Sequence, residues 1–162
     1  MNEAKGDHFT HLDTQGNPNM VDVSHKPVSK RIAKARALVQ LTDKILTQFQ
    51  REDIQTKKGP VFQTAILAGI MAAKKTGELI PLCHPLPLEN CHIAIRLNED
   101  KEVEIISTAT ITAKTGVEME ALTAVSMAAL TVYDMCKSMS HHIIIKEIRL
   151  IEKSGGKKDF KL

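Results

Sequence analysis

A long stretch without any charged residue lies between Glu120 and Asp134, inside the segment TGVEMEALTAVSMAALTVYDMCKSM. The segment predicts a helix from Val117 to about Met139, and small or aliphatic residues occupy all sides of that helix. A helix that is apolar all round must be covered all round, whereas one sheet covers only one of its sides. The sequence therefore predicts that a second copy of the chain supplies the missing layer, and so an obligate oligomer.

Length and charge narrow the class of protein. The chain has 162 residues, about the length of one domain, and a formal charge of +3 at neutral pH. Without a dense basic stripe, this charge predicts no nucleic-acid or membrane partner, and any anionic ligand should be small and held locally. The three cysteines, at positions 83, 91 and 136, cannot all pair with one another, and the N-terminus is polar. Both features predict a reducing, cytoplasmic setting. The uncharged stretch 121–133 is too short to span a bilayer.

Hydrophobic patterns divide the chain into one domain with two short ends. Residues 1–19 predict a mobile N-terminal arm, residues 20–157 a single folded domain, and residues 158–162 a flexible tail. The segment RIAKARALVQL carries apolar residues at every second position, as in a strand. Two helices are predicted next, over LTDKILTQFQRED and over GPVFQTAILAGIMAAKKTG, the second with Pro60 at its first position and Gly77 at its end.

Three more elements complete the pattern. Two alternating runs, CHIAIRL and VEIISTATITA, are separated by a polar NEDK, which predicts a hairpin. The long helix follows, and HHIIIKEIRLIEK supplies a last strand. The order βαββαβ predicts an α+β fold in which an antiparallel sheet carries its helices on one face.

Several charged residues sit at the ends of the predicted helices. Asp134 and Lys137 are three residues apart and therefore neighbours on one helix face, as a surface ion pair or as a functional pair. Lys58 precedes the second helix, where free N–H groups could bind an anion, or it is a solvated loop lysine. Glu118 fits a capping box with Thr115, whereas capping leaves Glu120 unexplained.

The segment LIPLCHPLPL places three of the six prolines around an adjacent Cys83 and His84. Each proline disfavours helical backbone in the residue before it, so we expect a stiff, extended segment with the two side chains on opposite sides. That arrangement disfavours a Cys-His nucleophile pair, and adjacent pairs such as Cys91-His92 are not typical zinc ligands. His84 is then a preorganised hydrogen-bonding or proton-transfer group, or a buried histidine in a structural connector.

The chain contains, in this order, the segments MVDVS, KKGPVF, LIPLCHPLPL, KTGVEMEALTAVSMAALTVYDMCKS and IRLIEKSGGK. Together these segments resemble the molybdenum cofactor biosynthesis protein C (MoaC) family, the cyclic pyranopterin monophosphate synthases. The resemblance runs from about His11 to Lys157. It implies a ferredoxin-like subunit assembled as a homohexamer, a trimer of dimers, with active sites at the dimer interface. The implied reaction converts a cyclised dihydro-GTP, made by an upstream radical GTP cyclase, into cyclic pyranopterin monophosphate and diphosphate, without a cofactor or a metal.

The resemblance also assigns site residues. It implies catalytic roles for Asp134, Lys137 and Lys58, and proton shuttling by an Asp-Lys pair whose lysine pKa is lowered. Pro60 departs from the family pattern, in which an acidic or amide residue often follows KG, and it removes one N–H from the helix start. The implied substrate-binding residues are Leu82, Cys83, His84, Glu118, Met119, Glu120, Lys153, Arg31 and Lys26.

Two other classes of protein compete with this interpretation. A non-catalytic nucleotide-binding or scaffold protein would need an altered Asp134, Lys137 or Lys58, and all three are present. A metal-binding redox protein would need a better ligand set than Cys83-His84 and Cys91-His92.

Overall fold

The alternating segment RIAKARALVQL lies at the centre of a five-stranded antiparallel sheet. In the computed structural model, which describes residues 11–13 and 15–162, it forms β1 (Ser29–Gln40). Ala33, Ala35, Ala37 and Val39 point to one face of the sheet and are buried there. The strand prediction is confirmed, and small alanines let the helices above approach the sheet closely.

The remaining elements follow the predicted order, with some short additions. They are α1 (Asp43–Leu46), β2 (Phe49–Gln50), β3 (Asp53–Thr56), β4 (Gly59–Pro60), α2 (Val61–Ala73), α3 (Thr76–Leu79), β5 (Asn90–Leu97), β6 (Val103–Ala113), α4 (Glu118–Cys136), β7 (Ile144–Ser154) and β8 (Phe160–Lys161).

The main sheet has the strand order β5-β6-β1-β7-β8, and all of its neighbours are antiparallel. Both long helices, α2 and α4, contact each other and pack on the same face of the sheet. This topology confirms the predicted α+β, ferredoxin-like fold. The β2-β3-β4 strands form a small separate sheet beside α2. Among the described residues, no helix is long and apolar enough to cross a membrane.

Within one chain, the α4 helix is completely buried along one face only. Ala121, Ala124, Val125, Ala128 and Val132 are fully buried against the sheet and α2. On the outer surface of the helix pair, by contrast, large apolar side chains are exposed: Leu67 and Met71 of α2 at 64% and 61%, and Leu130 of α4 at 53%. An apolar surface therefore remains exposed beside the buried one in the single chain, and the second copy that would cover it stays a prediction.

The start of α2 differs from the prediction. Pro60 precedes the first helical residue, and the side chain of Asp53 reaches over from β3 to cap the helix. Its Oδ1 accepts the N–H of Phe62 at 2.7 Å and its Oδ2 accepts the N–H of Gln63 at 3.2 Å. Because this buried carboxylate takes two of the free N–H groups, the structure disfavours the anion site at the helix start, which was one of the two interpretations of Lys58.

The predicted end of α2 at Gly77 is also wrong. The helix ends at Ala73, the chain turns at Lys74, and Gly77 lies within α3. The helix predicted over LTDKILTQFQRED has only one turn, α1, before β2 and β3 pair. Arg51 and Glu52, with φ of +49° and +67°, make the tight turn of that hairpin.

The chain ends also carry structure that was not predicted. Phe160 and Lys161 pair with Lys153 and Glu152 and add β8 to the sheet edge, in place of a free tail. Near the N-terminus, Leu12 and Pro18 form a small bridge. Residues 1–10 of the predicted arm lie outside the described residues, and the domain boundaries stay a prediction.

Candidate functional site

A cavity of about 460 Å³ opens at the N-terminal end of α4. Four parts of the chain line it: the start of α4 with the residues just before it, the loop that follows α3, the segment that precedes β1, and the end of β7. It brings together Lys26, Leu82, Cys83, His84, Glu118, Met119, Glu120 and Lys153, which were predicted as substrate-binding residues.

A second cavity, of about 220 Å³, adjoins the first and shares Lys26, Glu118 and Lys153 with it. It adds Arg31, the remaining predicted binding residue, together with Lys114 and Lys157. Several cations around one small cavity form an environment that suits phosphate groups.

The proline-rich loop is turned rather than extended at its start. The N–H of Cys83 donates to the carbonyl oxygen of Ile80 at 3.0 Å, which closes a turn with Pro81 at its second position. Cys83 and His84 both line the cavity, and the predicted extended backbone at the start of this segment is wrong. The prolines stiffen the segment, but one of them initiates a turn.

Cys83 lacks the features of a nucleophile. Burial raises the pKa of its thiol, and the nearby charge of Glu120 raises that pKa further. The thiol therefore stays protonated near neutral pH, whereas a nucleophilic cysteine needs a lowered pKa.

Glu120 is the most buried charged group of the cavity, with an exposed fraction of 3%. Burial raises the pKa of its carboxyl group, the N–H of its own backbone partly lowers it, and the neighbouring Glu118 raises it again. A carboxyl group in such surroundings holds its proton at higher pH than usual and can donate it to a ligand.

Glu118 is held by a lysine rather than by a capping box. Its Oε1 lies 3.0 Å from Nζ of Lys153 on β7, and the residue before it, Val117, makes no side-chain cap. A Cβ placed on Gly116 would lie only 1.9 Å from Oε2 of Glu118. Because Gly116 has no side chain, the carboxylate of Glu118 can occupy this space and reach Lys153.

The three predicted catalytic residues form a second cluster at the opposite end of α4. Nζ of Lys137 lies 2.6 Å from Oδ1 of Asp134, and Nζ of Lys58, on the turn between β3 and β4, lies 3.6 Å from Oδ2. The hydrogen bond from Lys137 and the charges of both lysines lower the pKa of Asp134.

The same hydrogen bond raises the pKa of Lys137, so the lowered lysine pKa that was predicted is not found in the single chain. About half of each side chain is exposed, 55% for Asp134 and 49% for Lys137. The effect of ion pairing on the two pKa values is therefore larger than the effect of burial.

The two clusters do not meet within one chain. Asp134 lies sixteen positions after Glu118 in α4, and at a rise of about 1.5 Å per residue the two are roughly 24 Å apart. Sequence order alone could have given this separation once the helix was accepted as continuous.

Lys114 was not singled out from the sequence, although it lies directly before the TGVEME segment. Its Nζ donates to the carbonyl oxygen of Ser24 at 2.7 Å, a contact over 90 positions that no local pattern indicates. Among residues 11–13 and 15–162, no group of three or more His, Cys, Asp or Glu side chains could hold a metal ion.

The chain was compared with known proteins. The model of the MoaC family matches residues 20–156. A cyclic pyranopterin monophosphate synthase from Xanthomonas oryzae pv. oryzae is 45% identical over 157 residues, which cover 97% of this chain and 95% of the relative.

Two longer relatives are 52% identical. One is a molybdenum cofactor biosynthesis bifunctional protein from Synechocystis sp., matched over 93% of this chain and 45% of its own length. The other is molybdenum cofactor biosynthesis protein 1 from Drosophila melanogaster, matched over 94% of this chain and 27% of its own length. The chain thus spans less than half of either of these two relatives.

Proposed function

This chain belongs to the MoaC family, and on that premise we propose that it is a cyclic pyranopterin monophosphate synthase of molybdenum cofactor biosynthesis. It rearranges a cyclised dihydro-GTP, the product of an upstream radical GTP cyclase, into cyclic pyranopterin monophosphate and releases diphosphate. The single observation that best supports this function is the pair of adjoining cavities, one lined by cations and the other by proton-transfer groups. Its three free cysteines fit a reducing, cytoplasmic setting.

The smaller cavity suits the phosphate end of such a substrate. Lys26, Arg31 and Lys153 are cationic side chains, and the negative charge of a departing diphosphate grows as its bond breaks. Cations fixed in advance around the leaving group stabilise it without reorganising during the reaction.

The larger cavity suits the guanine-derived ring. Opening and reclosing this ring requires protons to be moved, and His84 and Glu120 both line the cavity. The raised pKa of Glu120 means that its carboxyl group keeps its proton to a higher pH than an ordinary glutamate does, which favours it as a proton donor. Leu82 and Met119 add apolar surface against which a flat ring can pack.

We place the complete active site between two copies of the chain. The catalytic cluster around Asp134 would enter the cavity of a neighbouring copy, since it lies roughly 24 Å from the cavity of its own chain. The exposed Leu67, Met71 and Leu130 offer apolar surface for such an interface. The homohexamer, a trimer of dimers, is part of the same proposal. In the assembled site, burial by the partner would lower the pKa of Lys137 towards the working range of a proton shuttle.

Product detection tests the activity directly. The purified protein is incubated with freshly made product of the radical GTP cyclase, and cyclic pyranopterin monophosphate and diphosphate are measured by mass spectrometry. Formation of both supports the proposal. Tight binding of the nucleotide without either product would favour the non-catalytic binding protein instead.

Mixed oligomers test the composite site. Asp134→Ala and Lys153→Ala should each be inactive alone, but after joint unfolding and reassembly the mixture should regain activity, because some mixed sites contain both native residues. Lys26→Ala should behave like Lys153→Ala. The matched control pairs Asp134→Ala with Lys58→Ala, which lie in one cluster of one chain and should not complement. Failure of the first mixtures, despite verified mixed oligomers, would place the whole site within one subunit.

A further inference from the structure

The residues between Met20 and Val28, here called the N-terminal strap, form neither helix nor strand. Val21, Val23 and Lys26 of the strap nevertheless line the larger cavity. A wall of irregular backbone needs contacts that hold it in place, and two side chains from outside the strap supply them.

The inner contact comes from the cavity. Nε2 of His84 lies 2.9 Å from the carbonyl oxygen of Val21. A carbonyl oxygen can only accept, so Nε2 carries a hydrogen in this bond, and in the neutral form of the imidazole Nδ1 is then the acceptor. The position of the strap therefore selects the tautomer of His84.

The outer contact comes from Lys114, which directly follows β6. Its Nζ donates to the carbonyl oxygen of Ser24 at 2.7 Å. The strap presents this oxygen on a closed turn, because Oδ1 of Asp22 accepts the N–H of Ser24 at 2.8 Å. Lys114 thus fastens the middle of the strap to the end of a sheet strand.

We propose that Lys114 is a positioning residue that holds the N-terminal strap against the cavity, and thereby keeps Nε2 of His84 protonated and Nδ1 free to accept a proton. This inference rests on the proposed function only for its catalytic consequence. Its structural content, that Lys114 acts on His84 through the strap, can be measured without turnover.

The competing role for Lys114 is direct contact with a phosphate group, since it also lines the smaller cavity. The two roles predict different results. Losing a phosphate ligand weakens substrate binding but leaves the His84 tautomer unchanged. Losing the strap contact frees the tautomer even when no ligand is present.

The test compares Lys114→Met with the wild type, with Lys114→Arg as the conservative variant and Lys44→Met as a control on an exposed lysine of α1. Nitrogen chemical shifts of His84, assigned by their loss in His84→Gln, report its tautomer. Thermolysin cleavage before Val21 and Val23 reports the opening of the strap.

A hydrogen bond of this kind changes an equilibrium constant roughly three- to tenfold. We expect Lys114→Met to be cleaved faster by about that factor, to show both His84 tautomers, and to lose kcat severalfold. Lys114→Arg and Lys44→Met should resemble the wild type.

An unchanged tautomer and cleavage rate in Lys114→Met would overturn the proposal, and a raised KM alone would assign Lys114 to phosphate binding. A wild-type protein without turnover would refute the proposed function, while the tautomer and cleavage measurements would still test the strap.

Discussion

Gly69 of α2 lies close to the backbone of α4, and replacing it with alanine should destabilise the protein. A Cβ at this position would lie 2.5 Å from Cδ1 of Ile93 and 2.7 Å from the backbone carbonyl oxygen of Ala124. The isoleucine can rotate, but the carbonyl oxygen belongs to the α4 backbone and cannot move without shifting the helix.

The expected magnitude follows from two opposing terms. Overpacking a tight core contact costs about 3 kcal/mol at the upper end of its usual range. Alanine in place of glycine within a helix contributes roughly 1 kcal/mol in the other direction. The free energy of unfolding should therefore fall by about 2 kcal/mol, which lowers the Tm by roughly 4–8 °C for a chain of this size.

Urea and thermal unfolding, followed by circular dichroism at one fixed protein concentration, measure this change. Gln63→Ala is the control, because Gln63 is exposed on the same helix and its replacement should alter stability by less than about 0.5 kcal/mol. A Gly69→Ala variant as stable as the wild type, or more stable, would show that α2 and α4 do not approach at Gly69.

Three further predictions concern the site. Glu120→Gln removes a carboxyl group whose pKa is raised above 4.5 in the folded protein. Because folding disfavours the ionised form of this group, the wild type loses stability as the pH rises from 4.5 through the raised pKa. The variant should therefore gain stability relative to the wild type from pH 4.5 towards neutrality, and a pH-independent difference in urea unfolding would contradict this. Asp134→Asn should retain fold and assembly but lose activity by about 100-fold or more, since it cannot exchange a proton with Lys137. Asp100→Asn in the hairpin turn is its control, and near-wild-type turnover of Asp134→Asn would reduce the pair to a surface contact. Dialysis against a chelator should leave turnover unchanged, and a loss that added zinc restores would assign a metal to the site.

The sequence predicts the parts of this fold that follow from a period. The alternation of apolar residues in β1 and in the β5–β6 hairpin predicts which side chains face the core. In the structure, the side chains at these alternate positions are the more buried ones. The uncharged stretch of α4 likewise predicted that this helix is buried, and one of its faces packs against the sheet and α2. Asp134 and Lys137 are close because helix geometry places residues three apart on one face.

Other parts depend on contacts that no local pattern carries. Asp53 caps α2 from a strand that is short and lies on a different sheet. The turn that brings Cys83 and His84 into one cavity uses the same prolines that predicted an extended chain. Lys114 reaches the strap only because β6 ends beside it in the folded state.

The central position of β1 has a consequence for the nascent chain. Its two neighbours, β6 and β7, are synthesised long after it, and β7 follows by roughly 100 residues. At about 5–20 residues per second, β1 waits roughly 5–20 s on the ribosome before its last partner appears.

During that interval the strand is open to pairing with the β1 of a neighbouring nascent chain. Its outer face carries Lys34 and Arg36, whose partners Glu152 and Glu147 both belong to β7. Until β7 emerges these charges are unpaired and repel the same strand on another chain, a protection against premature pairing that charged strand residues commonly provide. The charged residues that join β1 to β7 in the folded protein therefore have a second role during synthesis. The charges of β1 repel other copies of this strand until β7 emerges, and they are neutralised once β7 pairs with β1.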